Sequence, residues 1–427
     1  MRGDHCGCTC RTCPARFARG GLKGMWPAIA LLIAFSQAAP AADVRALTER
    51  QAVELALARP VYRQLEDGRL AVAGSAVTEA NLLPNPVFAW EQDRAGGSVE
   101  STARVFQTFD FSGRRALRRE AAGIRMDAAR FDQEDRRLNT MVEVRRVYSE
   151  SLFRQEVGGA YARWLRRIEN AAEIVRNLAK AGEASGYDRR RLEREAQTAT
   201  ARAAGVAADY ARLRETMSGL IGKASGEVVT LEGKLLPGNT PLLESVQSTL
   251  RQRPDLASLN AQADAFDRER SAAERAWIPD VTLGVGQKRS EEPGRTVTGP
   301  VLAFSLPLPF FDRGQAGLQR AQARASTLRA EQALTYARSE AELRGVWRQA
   351  AELRQVAASF RLESLGSSRD LTRIAEAAYR AGEGNILELL DAYRAELDAE
   401  TTTLDLELRA RLARIELDML SGAKNHE

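Results

Sequence analysis

Phe109-Asp110-Phe111-Ser112-Gly113-Arg114 and Phe310-Phe311-Asp312-Arg313-Gly314-Gln315 are two versions of one passage, 201 residues apart, and each opens a long stretch without proline. No proline lies between Pro86 and Pro237, and none follows Pro309. A helix interior excludes proline because the ring removes a hydrogen bond and clashes with the preceding turn. Short strand-like segments bracketed by proline and followed by such stretches therefore imply very long helices entered from short strands. The frame repeats elsewhere: Arg59-Pro60 returns as Arg253-Pro254, Leu83-Pro84 as Ile278-Pro279, and Ala181-Gly182-Glu183 as Ala381-Gly382-Glu383, at offsets of 194, 195 and 200 residues. These spacings describe one long duplication and not a solenoid of short repeats.

Working outward from that passage, the first repeat is expected to span residues 43–236 and the second 237–427. Leu47 to Arg59 reads as a short helix, with Thr48 and Gln51 placed as a capping box. A longer helix follows from about Pro60 to Leu83. Strands are predicted over about 87–93 and 101–109, joined by a turn at 94–98, and then helices over about 112–180 and 187–222. The second repeat gives helices near 241–253 and 254–277, strands over about 281–289 and 299–306, and helices over about 313–381 and 385–421. Leu117, Ile124, Phe131 and Leu138 stand seven apart, with Ala121, Ala128 and Val142 on the companion line. Leu390, Leu397 and Leu404 repeat the interval. A period of seven predicts supercoiled seams between neighbouring helices.

Four of the five net positive charges are carried by the first 42 residues, where Arg2, Arg11, Arg16, Arg19 and Lys23 face only Asp4. Beyond them the chain holds nearly equal numbers of acidic and basic residues, which leaves no electrostatic footprint for nucleic acid. The apolar run Trp26–Phe35 is too short to span a bilayer and is followed by Ala39-Pro40-Ala41. This pattern predicts a secretory signal over 1–42, cleaved after Ala41 or Ala42. All four cysteines, Cys6, Cys8, Cys10 and Cys13, precede it. Their spacing is compatible with a metal knuckle, but a segment removed on export cannot serve the mature protein. Neither disulfides nor a lipid anchor on the mature N-terminus is expected.

The predicted strands alternate between large apolar and small or polar residues: Val281, Leu283 and Val285 against Thr282, Gly284 and Gly286; Leu302, Phe304 and Leu306 against Ala303 and Ser305. Such alternation suits a membrane β-barrel strand and equally a soluble hairpin packed on helices. Four strands cannot close a membrane barrel, whose smallest examples have about eight, so a barrel here requires several chains.

The twofold repeat of short helix, hairpin, very long helix, glycine break and shorter helix, behind a cleaved signal, resembles the outer-membrane efflux protein (TolC-like) family over essentially the whole mature chain. Local matches are Tyr379-Arg380-Ala381-Gly382-Glu383-Gly384-Asn385-Ile386-Leu387-Glu388-Leu389-Leu390-Asp391-Ala392, the passage Leu306 to Gln315, and Ser185-Gly186-Tyr187-Asp188. The last two resemble the heavy-metal branch. The resemblance implies a mainly α protein with a membrane β-barrel: a homotrimer whose three chains form one 12-stranded barrel in the outer membrane, continued by a long periplasmic α-barrel. It further implies a passive duct in a tripartite system, with a periplasmic adaptor and an inner-membrane RND-type pump as partners and no cofactor. The helices are rich in Ala, Arg, Glu and Gln, which independently suits walls that pack sideways and face water.

The candidate chemistry is sparse. Beyond the leader there is one histidine, His426, and no cysteine, so a metal-bound catalyst is not expected. Glu388 and Asp391 lie three apart on one helical face. Alone they read as a solvated face; the resemblance implies acidic rings in the lumen at a constricted periplasmic end, where threefold symmetry gathers six carboxylates. The resemblance also assigns Asp188 and Tyr379 to a network holding that end shut. Some members of the resembled family carry a basic residue where this chain has Gly384, a departure that implies a looser or differently latched gate. The glycine turns, Gly182 and Gly186 in the first repeat and Gly382 and Gly384 in the second, are expected to form the adaptor-docking tip, their plainer role being to cap helices. Two other classes remain open: a periplasmic adaptor, which would show a single hairpin with glycine- and valine-rich β domains, and a soluble coiled-coil scaffold, which would not explain the signal or the paired strands. Nothing resembles a nucleophile with its base or a phosphate-cradling loop, so an enzyme is not expected.

Overall fold

The computed structural model describes residues 46–180, 185–224 and 230–422. The leader with its cysteines, Gly182 and His426 lie outside the described residues. Within the unit Val44–Glu427, the chain begins with β1 (Leu47–Thr48), α1 (Glu49–Ala58) and α2 (Pro60–Asn81), then β2 (Val87–Ala95) and β3 (Ser98–Phe109). Two long helices follow, α3 (Arg114–Lys180) and α4 (Gly186–Ile221), and then β4 (Leu231–Glu232). The second half runs α5 (Leu243–Leu250), α6 (Pro254–Glu274), β5 (Val281–Glu292), β6 (Arg295–Ser305), α7 (Gln315–Phe360), a π-helical turn at Arg361–Leu365, α8 (Gly366–Ala381) and α9 (Ile386–Ser421). The 67 residues of α3 give a rod about 100 Å long.

Several expectations are corrected. The first helix does not begin at Leu47: Thr48 is its extended N-cap, completing the capping box with Gln51. Leu47 and Thr48 instead pair in parallel with Leu231 and Glu232, beneath the hydroxyl of Tyr148, which lies 2.8 Å from the Leu47 carbonyl oxygen and 2.6 Å from that of Glu232. Each strand of the hairpins runs further than its apolar alternation indicates. Charged residues at their far ends pair across strands, and the turns shrink to Gly96-Gly97, both with positive φ, and Pro293-Gly294. The stretch 313–381 is not one α-helix, because the π turn inserts at Arg361–Leu365. Its Arg361 guanidinium donates to both carboxylate oxygens of the buried Glu407 on α9 at 2.5 and 2.7 Å, which holds the bulge in place.

The seam of α3 is also narrower than its leucines suggest. Ala121 and Ala128 are buried, whereas Leu117, Ile124 and Phe131 are half-buried. The small side chains let α6 approach closely with its own buried Ala263, Ala265 and Ala272. Ion pairs flank the contact, among them Arg125 with Glu269 at 2.6 Å. On α9, Leu390, Leu397 and Leu404 are buried.

The duplication has matching joints. Arg59 donates to the carbonyl oxygens of Gly219 and Leu220 at 3.0 and 3.1 Å, closing the end of α4 beside Gly222, whose φ is 73°. Arg253 likewise packs its stem against Gly422, φ 65°, at the end of α9, but its guanidinium bonds to Asp255 and Ser339 instead. The four long strands form one antiparallel sheet in the order β2-β3-β5-β6. The edges on β2 and β6 have no strand partner among the described residues. No helix among the described residues is long and apolar enough to cross a membrane.

Candidate functional site

The tip farthest from the sheet is built by two helix re-entries. Helix α8 ends at Ala381, and Gly382 turns with φ 74°, a left-handed conformation that a side chain at Cβ disfavours. The amides of Glu383 and Gly384 fold back to the Ala378 carbonyl at 3.0 and 3.1 Å. A Cβ on Gly384 would stand 3.2 Å from the Ala378 Cβ and from the Tyr379 nitrogen, so a side chain here would have to push its neighbours aside by a few tenths of an ångström. The chain then enters α9 immediately, because Asn385 caps it. Its Oδ1 accepts from the amides of Leu387 and Glu388 at 2.9 and 3.0 Å, and the Glu388 carboxylate accepts from Asn385 N and Nδ2 at 3.3 and 2.9 Å. Glu388 is thus the far half of a capping box, a role that its spacing from Asn385 announces.

The first repeat does the same 200 residues earlier. Ser185 Oγ accepts from the Asp188 amide at 3.2 Å and donates to the Asp188 carboxylate at 2.8 Å. Gly186 is the first residue of α4 and is not among the glycines with positive φ; it has open space around it. The glycine freedom expected there belongs at Gly382. Tyr379 is half-buried; burial first, and then the charge of Asp188, push its phenol up. Asp188 and Tyr379 therefore come within electrostatic range, with the Asp188 oxygen held by Ser185. Glu388 and Asp391 are both exposed. Asp391 lies one turn before Arg394, whose guanidinium it helps to keep protonated after the larger contribution of Glu195.

Behind this turn lies a layer of cross-helix ion pairs. Arg394 on α9 clamps Glu195 on α4 with two hydrogen bonds, and that contact holds the Glu195 carboxyl below the usual range. Arg167 on α3 reaches Glu396 at 2.5 Å, and Arg163 reaches Glu400 at 2.6 Å. Sequence spacing does not reveal these pairs, because their members come from helices far apart in the chain. Around them pack Trp164, Ile168, Leu192, Leu389, Leu390 and Tyr393. Among the described residues, no group of three or more His, Cys, Asp or Glu side chains is gathered that could hold a metal ion.

At the opposite end, the sheet register sorts the strand residues by face. Phe88, Val105, Val285 and Leu302 fall in one row, with Leu283 and Phe304 in the same-face row on one side and Trp90 in that on the other. Phe88, Trp90, Leu302 and Phe304 are more than half exposed. The other face carries Gly284 and Gly286, over which lie the Phe106 ring and the Arg104 stem. Arg104 pairs there with Glu91, and Lys288 with Glu100 at 2.7 Å. One face thus carries large apolar residues, the other glycines and ion pairs.

Residues 245–423 match the family described as outer membrane efflux protein. The chain is 24% identical to the cobalt-zinc-cadmium resistance protein CzcC of Cupriavidus metallidurans, over 81% of this chain and 83% of that one. It is 25% identical to the nickel-cobalt-cadmium resistance protein NccC of Alcaligenes xylosoxydans, over 71% of each. Its fold matches that of the outer membrane protein VceC of Vibrio cholerae with a TM-score of 0.70 at 17% identity, covering 88% of this chain and 96% of that one. The second half of the chain thus carries a domain that matches the outer membrane efflux proteins, and relatives similar over most of its length are heavy-metal resistance proteins.

Proposed function

We propose that the mature chain is one subunit of a trimeric outer-membrane duct that carries solutes, heavy-metal cations foremost, out of the cell. The observation that carries this reading is the four-stranded sheet, with an apolar face on one side, a charged glycine-lined face on the other, and unpaired edges on β2 and β6. Free edges of nine and eleven residues demand partners, and three such sheets joined edge to edge give twelve strands, enough for a membrane barrel with a polar interior.

The long helices would continue the duct into the periplasm. Energy would come from an RND-type inner-membrane pump through an adaptor, the chain itself performing no catalysis. The Gly382 turn and its first-repeat counterpart around Gly182 and Gly186 would meet the adaptor. Asp188 and Tyr379 would belong to the closing network, and Glu388 with Asp391 would form the acidic constriction. The cargo assignment is supported by the metal-resistance relatives; in a trimer the exposed Glu388 and Asp391 would gather six carboxylates, a focus of negative potential for cations. The signal over 1–42 would deliver the chain to the periplasm.

The deciding experiment is extraction and sizing of the expressed protein. A detergent-dependent trimer whose β-rich part survives mild heating in SDS is expected; a monodisperse monomer in detergent-free buffer would overturn the reading.

A further inference from the structure

A cavity of about 800 Å³ opens between α4 and α9, floored by Tyr161 and Trp164 of α3. Its walls bring together Arg190, Arg191, Arg194 and Arg202 of α4 and Arg394 of α9, against only Glu195 and Asp398. Glu195 is already clamped by Arg394. Arg190, Arg194 and Arg202 are exposed and meet no carboxylate at ion-pair distance among the described residues. They stand four and eight apart, which makes one stripe along α4, about 18 Å long at 1.5 Å per residue. Like charges so aligned repel one another, and the buried face of α4 is carried by Leu192, Glu195 and Ala199 instead.

Two further donors in this groove lack acceptors. Trp164 is 3% exposed and packs in the cluster of Ile168, Leu192 and Tyr393, yet its indole Nε1–H meets no acceptor among the described residues. Arg191 donates from Nη1 to the Tyr187 hydroxyl at 3.2 Å, and its buried Nε likewise meets none. A buried donor is costly without an acceptor, so such groups mark a place where one binds. Trp164 also borders a second cavity, of about 360 Å³, on the α8 side. The arginines there are already matched: Arg167 with Glu396, Arg163 with Glu400, Arg369 with both, and Arg373 with Asp370. The unmatched positive charge lies on the α4 side.

We infer that this groove binds a small polyanion, a solute with several carboxylate or phosphate groups that lays its charges along the Arg190, Arg194 and Arg202 stripe and offers an acceptor to the Trp164 indole. A guanidinium fork matches either oxyanion with two parallel hydrogen bonds, and a cavity of this size suits a solute rather than a lone ion. The same charges repel a free metal cation, so a metal reaches this site only inside an anionic chelate. The inference goes beyond the duct reading and stands without it, since neither the sheet nor the membrane enters the argument.

The test is calorimetric titration of the purified mature protein, in its own assembly, with citrate, tripolyphosphate and acetate at constant ionic strength. Saturable binding of citrate or tripolyphosphate, with a change in tryptophan fluorescence and no comparable binding of acetate, is expected. The tighter of the two polyanions identifies the acid group that the site prefers. Arg190→Gln, Arg194→Gln and Arg202→Gln together alter only exposed side chains and should weaken binding about tenfold or more. Trp164→Phe keeps an aromatic ring in the core but removes the N–H; it should weaken binding severalfold and abolish the fluorescence change. Undiminished binding by the triple arginine variant, or acetate binding as well as citrate, would overturn the site. Loss in the arginine variant with none in a folded Trp164→Phe would place the anion on exposed arginines and overturn the groove. Absence of binding by either polyanion would overturn the inference and leave the groove to a neighbouring chain.

Discussion

Glu195 accepts both hydrogen bonds that the Arg394 guanidinium offers across the gap between α4 and α9. The carboxylate is nearly buried whereas the guanidinium is almost half exposed, so the pair falls between a surface and a buried ion pair. The clamp holds together two helices that both re-enter at the tip.

Replacing Arg394 by Ala is expected to destabilise the tip by about 1–3 kcal/mol, less than a wholly buried pair because solvent screens the arginine. Faster hydrogen exchange at the start of α4 and α9, with the sheet unaffected, is the readout. Glu195→Gln added to Arg394→Ala should recover part of the loss, because it removes the stranded charge. If the single and double variants exchange alike, the pair contributes nothing.

Neutralising the acidic turn is predicted to weaken cation preference. Glu388→Gln retains the acceptor needed by the Asn385 amide, so the capping box persists while the charge is removed. Combined with Asp391→Asn it should lower cation selectivity in planar bilayers and relieve block by trivalent cations added from the periplasmic side. A folded trimer with unchanged selectivity would place the pair on the outer, solvated face.

Gly382 separates docking from folding. Its left-handed backbone makes Gly382→Val cost about 1–2 kcal/mol, while Gly382→Asn tolerates that conformation. The space around it is open, so neither clashes within the chain. If this turn meets the adaptor, both variants should lose export while trimers remain in the membrane, most completely when Gly182 is also enlarged. Export retained in both would move the contact elsewhere.

Acid should loosen the α2–α3 contact. Glu66 is buried and receives three hydrogen bonds from Arg136 and one from Arg69. The Arg136 contact, chiefly, holds its carboxyl below the ordinary 4.5. A carboxyl with a depressed folded-state pKa contributes stability above its unfolded value that disappears as pH falls through the folded one. Thermal stability should therefore decline as pH drops below about 4.5, and Glu66→Gln should flatten that limb of the profile. An unchanged acid limb would show that other carboxylates govern it.

The duplication, the long helices, the four strands and the two re-entrant turns follow from local rules: proline's missing donor, glycine's freedom, capping spacing and hydrophobic period. Residues such as Asn385 and Glu388 act on neighbours within one turn, which is why their pattern can be read directly from the chain. The π turn at Arg361–Leu365 could not be read this way, because it is held by Glu407 from another helix. The shift of the α3 seam from leucines to Ala121 and Ala128 depended on how closely α6 could approach. Glu195 and Arg394 are 199 positions apart, and no local pattern links them. Which strand residues share the apolar face emerged only when pairing register brought Phe88, Val105, Val285 and Leu302 into one row. Short-range backbone chemistry is written residue by residue, whereas contacts between distant segments depend on relative placement that only the assembled fold supplies.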